Sequence, residues 1–309
     1  MRRLPHLTRR TFLLGTALGG AGALGPLAGT PARASVPAAE ASVQIGPYRV
    51  TALLDASGGF GTAGQMFSGA SSEDWERARE IDPDAFGAND AWLLDFRCYL
   101  VRGPRGRLTL VDTGVGPEGS PSSGWAPVPG RLDEALAAVG VSPSDIDTVV
   151  LSHLHEDHYG GSVRLDGTPV FDRARYIVQR TELESLSPDG AAVRYLVEPL
   201  RATGQLDVVD GETRLGPPSA AATGVRVVPT PGHTVGHQSV VVDGGRHRLV
   251  ITGDVLVHAV QLVNPDAAYY FERDKELARR TRRNMLASAH ESGALLATAH
   301  LHVPFITVE

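Results

Sequence analysis

Six consecutive residues, His153-Leu-His155-Glu-Asp157-His158, constrain the fold of this chain more than any other stretch. They gather three imidazoles and a carboxylate into one tight turn. These are the side chains that bind zinc and similar divalent metals. Four such groups exceed what one tetrahedral ion with an open position needs, so the spacing predicts two ions side by side. Before them runs Asp147-Thr-Val-Val-Leu-Ser152, a β-branched apolar run that reads as a buried strand. After them, Gly160 and Gly161 break the pattern. The ligands therefore sit where a strand ends and a loop begins, the usual place for a site on an α/β scaffold.

Further ligand candidates lie at the ends of later strand-like runs. Val225-Arg-Val-Val228 leads into Pro-Thr-Pro-Gly-His233-Thr-Val-Gly-His237. Arg248-Leu-Val-Ile-Thr252 leads into Gly253-Asp254, and Ala294-Leu-Leu-Ala-Thr-Ala299 leads into His300. A site that needs ligands from 153 to 300 requires the chain to close on itself. No linker interrupts the motifs, and 309 residues at 42% hydrophobic content are ample for one large core.

In this order, HxHxDH, PGHTxGH, TGD and a late Ala-His resemble the metallo-β-lactamase fold hydrolases. The upstream Leu110-Val-Asp112-Thr-Gly114 is similar to that superfamily's LVDTG strand end. The resemblance covers roughly residues 43 to 305. It implies an α/β (α+β) fold, a four-layer αββα sandwich of two similar halves. It also implies two divalent metal ions per chain, zinc first among them, with manganese, iron or cobalt as alternatives. His153, His155 and His233 would hold the first ion, Asp157, His158 and His300 the second, and Asp254 would bridge both. Asp112 and His237 match motif positions that orient the ligands by hydrogen bonds. His300 is preferred to His302 because it directly follows the apolar run.

The first 34 residues read differently. Thr8-Arg9-Arg10-Thr11-Phe12-Leu13-Leu14 resembles a twin-arginine export signal, followed by an apolar Gly-rich stretch and Ala32-Arg33-Ala34 as a cleavage site. Residues 1–34 are thus expected to be a signal peptide and 35–309 a single hydrolase domain. The product would be extracellular or periplasmic, partnered in transit by the twin-arginine machinery. The apolar stretch is short and broken by Gly and Pro26, so no stable membrane anchor is expected after cleavage. Five arginines (2, 3, 9, 10 and 33) and no acid leave with it, which takes the formal net charge from −6 to −11. An acidic protein of this kind is a poor nucleic-acid binder. One cysteine, Cys98, excludes an intramolecular disulfide and reads as a buried small residue. Nothing in the sequence sets the oligomeric state.

The remaining chain reads as hairpins over Val43–Leu54 and Asp95–Asp112, and helices over 130–140 and 181–186. Strand Tyr176–Gln179 precedes the second of these, and Val240–Val242 and Leu249–Thr252 pair around a Gly-Gly turn. The longest helix spans Glu272 to Glu291, its charges expected to form a solvated face. Residues 55–91 and 114–129 read as irregular loops rich in Gly, Ser and Pro. Their large side chains, Phe60, Phe67 and Trp125 among them, are expected to wall the substrate pocket, with His258 a further candidate. His6, His247 and His290 carry no expected role.

Two divalent ions lower the pKa of a bridging water, and the resulting hydroxide attacks a carbonyl or phosphoryl centre. Asp157 is the catalytic group expected to relay the proton to the leaving group. No GxSxG pattern offers a rival nucleophile. Asp254 argues against β-lactamases of this fold, which lack the bridging aspartate, and His155 against diiron relatives, which carry glutamate there. Glyoxalase-II-like thioesterases share the ligands but act inside cells. The exported group that includes methyl parathion hydrolase, and the N-acyl homoserine lactonases, remain. Gly253 to Pro265, with Tyr270-Phe271, resembles the former more closely, and Val257 stands where some lactonases carry an assisting tyrosine. The expected activity is hydrolysis of a small-molecule lactone or ester. Phosphotriester hydrolysis, thioester hydrolysis and a non-catalytic metal-dependent binding role are the alternatives.

Overall fold

The computed structural model describes residues 41–216 and 223–308. The export signal and His6 lie outside the described residues. Two sheets carry the chain. The first contains β1 (Ser42–Ile45), β2 (Tyr48–Thr62), β4 (Ala91–Arg102), β5 (Leu108–Val111), β6 (Thr148–Val150), β7 (Arg175–Gln179) and β8 (Leu206–Val209), neighbours in that order. It is antiparallel as far as β5 and parallel from β5 to β8. The second contains β15 (Phe305–Ile306), β14 (Leu295–Ala297), β12 (Arg248–Ile251), β11 (Gln238–Asp243), β10 (Gly224–Pro229) and β9 (Thr213–Leu215). A two-stranded pair, β3 (Phe67–Ser68) with β13 (Ala268–Tyr269), stands apart.

Alternation of side chains along the strands builds three layers of core. Val50, Tyr99, Val111, Val150 and Ile177 of the first sheet face Val225, Val227, Val240, Val242 and Ile251 of the second. Residues one step away point outward. Leu53, Cys98, Leu110 and Val149 pack against Leu132 and Leu136 of the helix Leu132–Ala138, and against Leu196 and Leu200. On the far side, Leu296 packs on Leu286 and Ala289 of the helix Lys275–Ser292. The layers run helix, sheet, sheet, helix, as the resemblance implies. Because the period is two, Cys98 and Tyr99 bury themselves in different layers.

Two expectations need correction. Residues 55–91 are not an irregular loop. β2 runs on to Thr62 through two register shifts, and the helix Ser72–Ile81 follows. Gly58, Gly59 and Gly61, part of the Gly-rich composition that suggested a loop, let the strand bend: a Cβ on Gly58 would meet Pro127 at 3.0 Å, and Gly61 has φ +65°. The helix has a capping box that the sequence displays, Ser71 with Asp74. Nor is the long helix's charge all solvated. Arg282 is fully buried and pairs with buried Glu272 at 2.8 Å. By contrast, residues 114–129 hold only one short helical turn, Pro121–Gly124, as an irregular stretch should.

Candidate metal centre

Five strands end at one rim. Asp112 follows β5, His153 follows β6, His233 follows β10, Asp254 follows β12 and His300 follows β14. His155, Asp157 and His158 lie on the turn into the short helix Glu156–Tyr159. The rim brings together two ligand groups: His153, His155, His233 and Asp254 in one, Asp157, His158 and His300 in the other. His153 Nε2 and His233 Nε2 each lie 2.9 Å from His155 Nδ1. Asp254 sits between the groups. Its Oδ2 is 3.1 Å from His233 Nε2 and 3.8 Å from His153 Nε2, while Oδ1 is 3.1 Å from both His158 Nε2 and His300 Nε2. Asp157 Oδ2 lies 3.5 Å from His158 Nε2 and 3.6 Å from His300 Nε2.

The outer hydrogen bonds fix which ring nitrogens are free. His300 Nδ1 donates to the Asp95 carbonyl at 2.9 Å, so Nε2 keeps its lone pair. His158 Nδ1 donates to Asp112 Oδ2 at 2.9 Å. Ser152 Oγ gives its proton to Asp112 Oδ2 and lies 3.1 Å from His153 Nδ1, which must then be the donor. All three rings therefore aim bare Nε2 atoms at the centre. His158 Nε2 and Asp254 Oδ1 are buried with no hydrogen-bond partner of their own. Buried lone pairs that converge at such distances need a cation between them. The donor set, imidazole and carboxylate, suits divalent zinc-like ions, so the residues fit the implied pair of metals.

The charges agree. Burial pushes the Asp254 carboxyl up, but His158, His300 and His233 outweigh it and hold it well below the usual carboxylate range. Burial, with His158 and His155 adding to it, keeps His153 neutral, its pKa far below the ordinary value. His237 stands outside the ligand set. Its Nε2 accepts from the Asp254 N–H at 3.0 Å, and Nδ1 meets Thr230 Oγ1 at 2.9 Å. Both nitrogens are occupied, and burial lowers its pKa to about 3. It fixes the turn that presents Asp254. Gly253 is required there: it has φ +53°, and a Cβ would lie 2.7 Å from His237 Nε2.

His302 is turned away. Its backbone N–H donates to Asp82 Oδ2 at 3.0 Å, and Nδ1 lies 3.2 Å from Asp82 Oδ1. Sequence reasoning missed Glu182. This buried carboxylate accepts from Leu154 N–H and Gly236 N–H, each at 2.9 Å, and so ties the two histidine loops to each other. A lone Glu in a short helix gives no signal of that in sequence. Among the expected pocket residues, Phe60 and Trp125 line the space above Asp157, Asp254 and His300, together with Trp92, Leu94 and Tyr269. Phe67 and His258 are set back. His258 packs among Phe67, Trp75, Phe86 and Trp92 at 5.2–5.8 Å, and burial lowers its pKa to about 4.

Residues 97–291 match the metallo-beta-lactamase superfamily, and the chain belongs to it. Similar proteins include an N-acyl homoserine lactonase of Bacillus cereus, 30% identical over 168 residues, or 50% of this chain and 60% of that protein. The N-acyl homoserine lactonase AttM of Azorhizobium caulinodans is 30% identical over 233 residues, 65% of this chain and 80% of that one. The match to the Bacillus lactonases spans only 57–60% of their length. Among solved structures, hydrolase AbOPH of the beta lactamase superfamily superposes with a TM-score of 0.70 at 24% identity, covering 87% of this chain and 97% of that one. AidC, a dizinc quorum-quenching lactonase, superposes with a TM-score of 0.68 at 22% identity, covering 87% and 94%. Both share the fold.

Proposed function

We propose that this chain is an exported, dinuclear metal-dependent hydrolase of lactones or esters. The observation that carries the reading is Asp254, whose two carboxylate oxygens face two separate histidine groups. His153, His155 and His233 would hold one ion, and Asp157, His158 and His300 the other, with Asp254 common to both. Two divalent ions held there would supply an activated water near neutral pH and a positive field for the oxygen on which charge builds.

The chain's own groups do the rest. Asp112 holds the His158 ring by its Nδ1, and the Asp95 carbonyl holds His300 in the same way. Asp157, at the edge of the aromatic space, accepts the proton of the attacking water and returns it to the leaving alkoxide. Phe60, Trp92, Leu94, Trp125 and Tyr269 exclude bulk water and offer no cation to an anionic substrate. That wall favours neutral acyl or aryl groups, as does the net charge. The similarity to N-acyl homoserine lactonases supports the same class.

Substrate choice is tested by kcat/KM across chromogenic lactones, aryl esters, phosphotriesters, phosphodiesters and β-lactams. Lactones or aryl esters are expected to lead, phosphotriesters to follow and β-lactams to trail, with chelator removing every activity. A β-lactam or phosphodiester ahead by tenfold, about 1.4 kcal/mol of transition-state preference, would overturn the assignment. Export is tested by N-terminal sequencing of the released protein. A start at Ser35 is expected, with release abolished when Arg9 and Arg10 both become lysine. Membrane-held protein beginning near Met1 would contradict it.

A further inference from the structure

Residues 115–131 leave the rim after β5 and return to it at the helix Leu132–Ala138. Both ends of this excursion meet one side chain. Asp55 Oδ2 accepts from Val115 N–H at 2.7 Å, and Oδ1 accepts from Leu132 N–H at 2.9 Å. The backbone closes the same stem, with Gly130 N–H on Gly116 O at 2.9 Å and Arg131 N–H on Asp55 O at 2.8 Å. Gly114 and Gly130 make room for the carboxylate: a Cβ on either would lie 2.0 or 2.3 Å from its oxygens. The far side of the loop carries Trp125, whose ring meets Phe60 at 5.3 Å and Phe96 at 5.9 Å.

Trp125, Phe60, Trp92, Leu94 and Tyr269 together leave only about 10 Å³ over Asp157, Asp254 and His300. That is room for roughly one water, far less than an acyl chain or aryl ring. A substrate that enters this space must displace one of its walls. Phe60, Trp92 and Tyr269 are buried on strands and pack on one another. Trp125 is half-buried and belongs to a loop with one short helical turn of its own. A cavity of about 350 Å³ under the stem, lined by Asp55, Gly116, Pro117, Pro129, Gly130 and Arg164, gives the stem space to shift.

We propose that Asp55 is a positioning residue that latches loop 115–131 over the reaction site, so that Trp125 sets which acyl or aryl groups are admitted. The proposal rests on the hydrolase reading above for its substrate class, but the latch itself does not depend on turnover. Burial raises the Asp55 carboxyl to about 6, against the nearby backbone N–H groups of Val115, Leu132 and Arg131, which lower it, and Asp133 on the following helix adds to the rise. The other ionisable groups nearby are the Cys98 thiol on β4, kept neutral by burial, and Arg164 across the cavity. Because the folded pKa lies above the ordinary 3.8, the folded state binds more protons than the unfolded chain between those values. This group therefore adds stability at low pH and loses it as pH rises through about 6. The same linkage acts on the latch: when the stem opens and Asp55 meets water, its pKa falls back toward the ordinary value, so acid is expected to hold the loop closed and rising pH to loosen it.

The test compares wild type, Asp55→Asn and Trp125→Ala as full metal-loaded protein. Hydrogen exchange of residues 115–131 reads the latch, and the kcat/KM ratio of long-chain to short-chain esters reads selectivity. In wild type, exchange protection of the loop is expected to rise about tenfold between pH 8 and pH 5, the linkage of a carboxyl that is protonated near 6 when latched and near its ordinary value when exposed. Asp55→Asn is expected to lose that pH dependence and to show low protection at both pH values, since an amide facing two N–H donors keeps only one of the stem bonds, with the rest of the fold unchanged. Trp125→Ala is expected to raise the long-to-short ratio about tenfold, an apolar side chain's worth of discrimination, while leaving loop exchange pH-dependent. Loop protection that is equal in wild type and Asp55→Asn overturns the latch. A uniform loss of kcat/KM at every chain length overturns the selectivity role. If no ester is turned over, the hydrolase reading fails while the exchange result still decides the latch. If Asp55→Asn does not fold, the pH dependence of wild type and Trp125→Ala decides it.

Discussion

Replacement of Asp254 by alanine is expected to release at least one of two bound ions and to lower hydrolysis on the order of 10³-fold, the scale of losing a principal electrostatic stabiliser. The reason is geometric. The two oxygens of Asp254 lie 3.1 Å from His233 Nε2 on one side and 3.1 Å from His158 and His300 Nε2 on the other. Asp254 is counted with the first group, and its Oδ1 reaches the histidines of the second. His300→Ala is expected to strip the second ion, because its Nδ1 bond to the Asp95 carbonyl fixes Nε2 toward Asp254. His302→Ala is expected to leave metal content nearly intact, because that ring is engaged with Asp82. Metal analysis of the three variants by mass spectrometry checks this. Loss of the second ion from His302→Ala, with His300→Ala unaffected, would reverse the ligand assignment.

Arg282→Met is expected to cost about 3–5 kcal/mol of stability, the cost of stranding a buried charge. Arg282 donates to Glu272 at 2.8 Å, and to the carbonyls of Pro265, Ala267 and Val255 at 2.9, 3.0 and 3.1 Å. Glu272 in turn accepts from Gln261 Nε2 and from Tyr269 N–H. The pair thus ties the helix Lys275–Ser292 to the turn after Asp254 and to the strand that carries Tyr269. Without the guanidinium, Glu272 remains buried and unpaired by charge. The double variant Arg282→Met with Glu272→Leu is expected to recover most of the loss, because no lone charge is left. Urea unfolding followed by circular dichroism measures both. A loss below about 1 kcal/mol for the single variant, the scale of an exposed pair, would show that water reaches Glu272.

The ligand groups were legible in sequence because metal chemistry demands particular residue types at strand ends. His153, His155, Asp157 and His158 occupy one turn, and three imidazoles with a carboxylate at that density repel or dehydrate one another unless a cation holds them. The sheets were legible for a related reason. Runs such as Val225–Val228 and Thr148–Val150 are apolar and β-branched, and burial between two sheets reinforces what their local preference suggests. What failed to show shares one cause: its partners are distant in sequence. Gly58, Gly59 and Gly61 look like part of a Gly-rich loop until Pro127 and the curving strand are seen. Glu182, Asp55 and Arg282 look like surface charges, and each is buried against backbone groups 28 to 77 residues away or a paired charge on another element. Phe67 and His258 are aromatic neighbours of the pocket by chain position, yet they pack one layer behind it. Tyr269 escaped notice because the pairing of β13 with β3, which brings it to the rim, joins residues from opposite ends of the chain.

That two ions act together on one substrate is tested most directly by adding zinc stepwise to metal-free protein while hydrolysis of a neutral lactone or aryl ester is followed. Activity is expected to rise until about two equivalents are bound, and Asp254→Ala is expected never to reach it at any zinc concentration. Full activity at one equivalent, or two equivalents bound with no turnover of any ester, lactone or phosphotriester, would contradict the dinuclear reading.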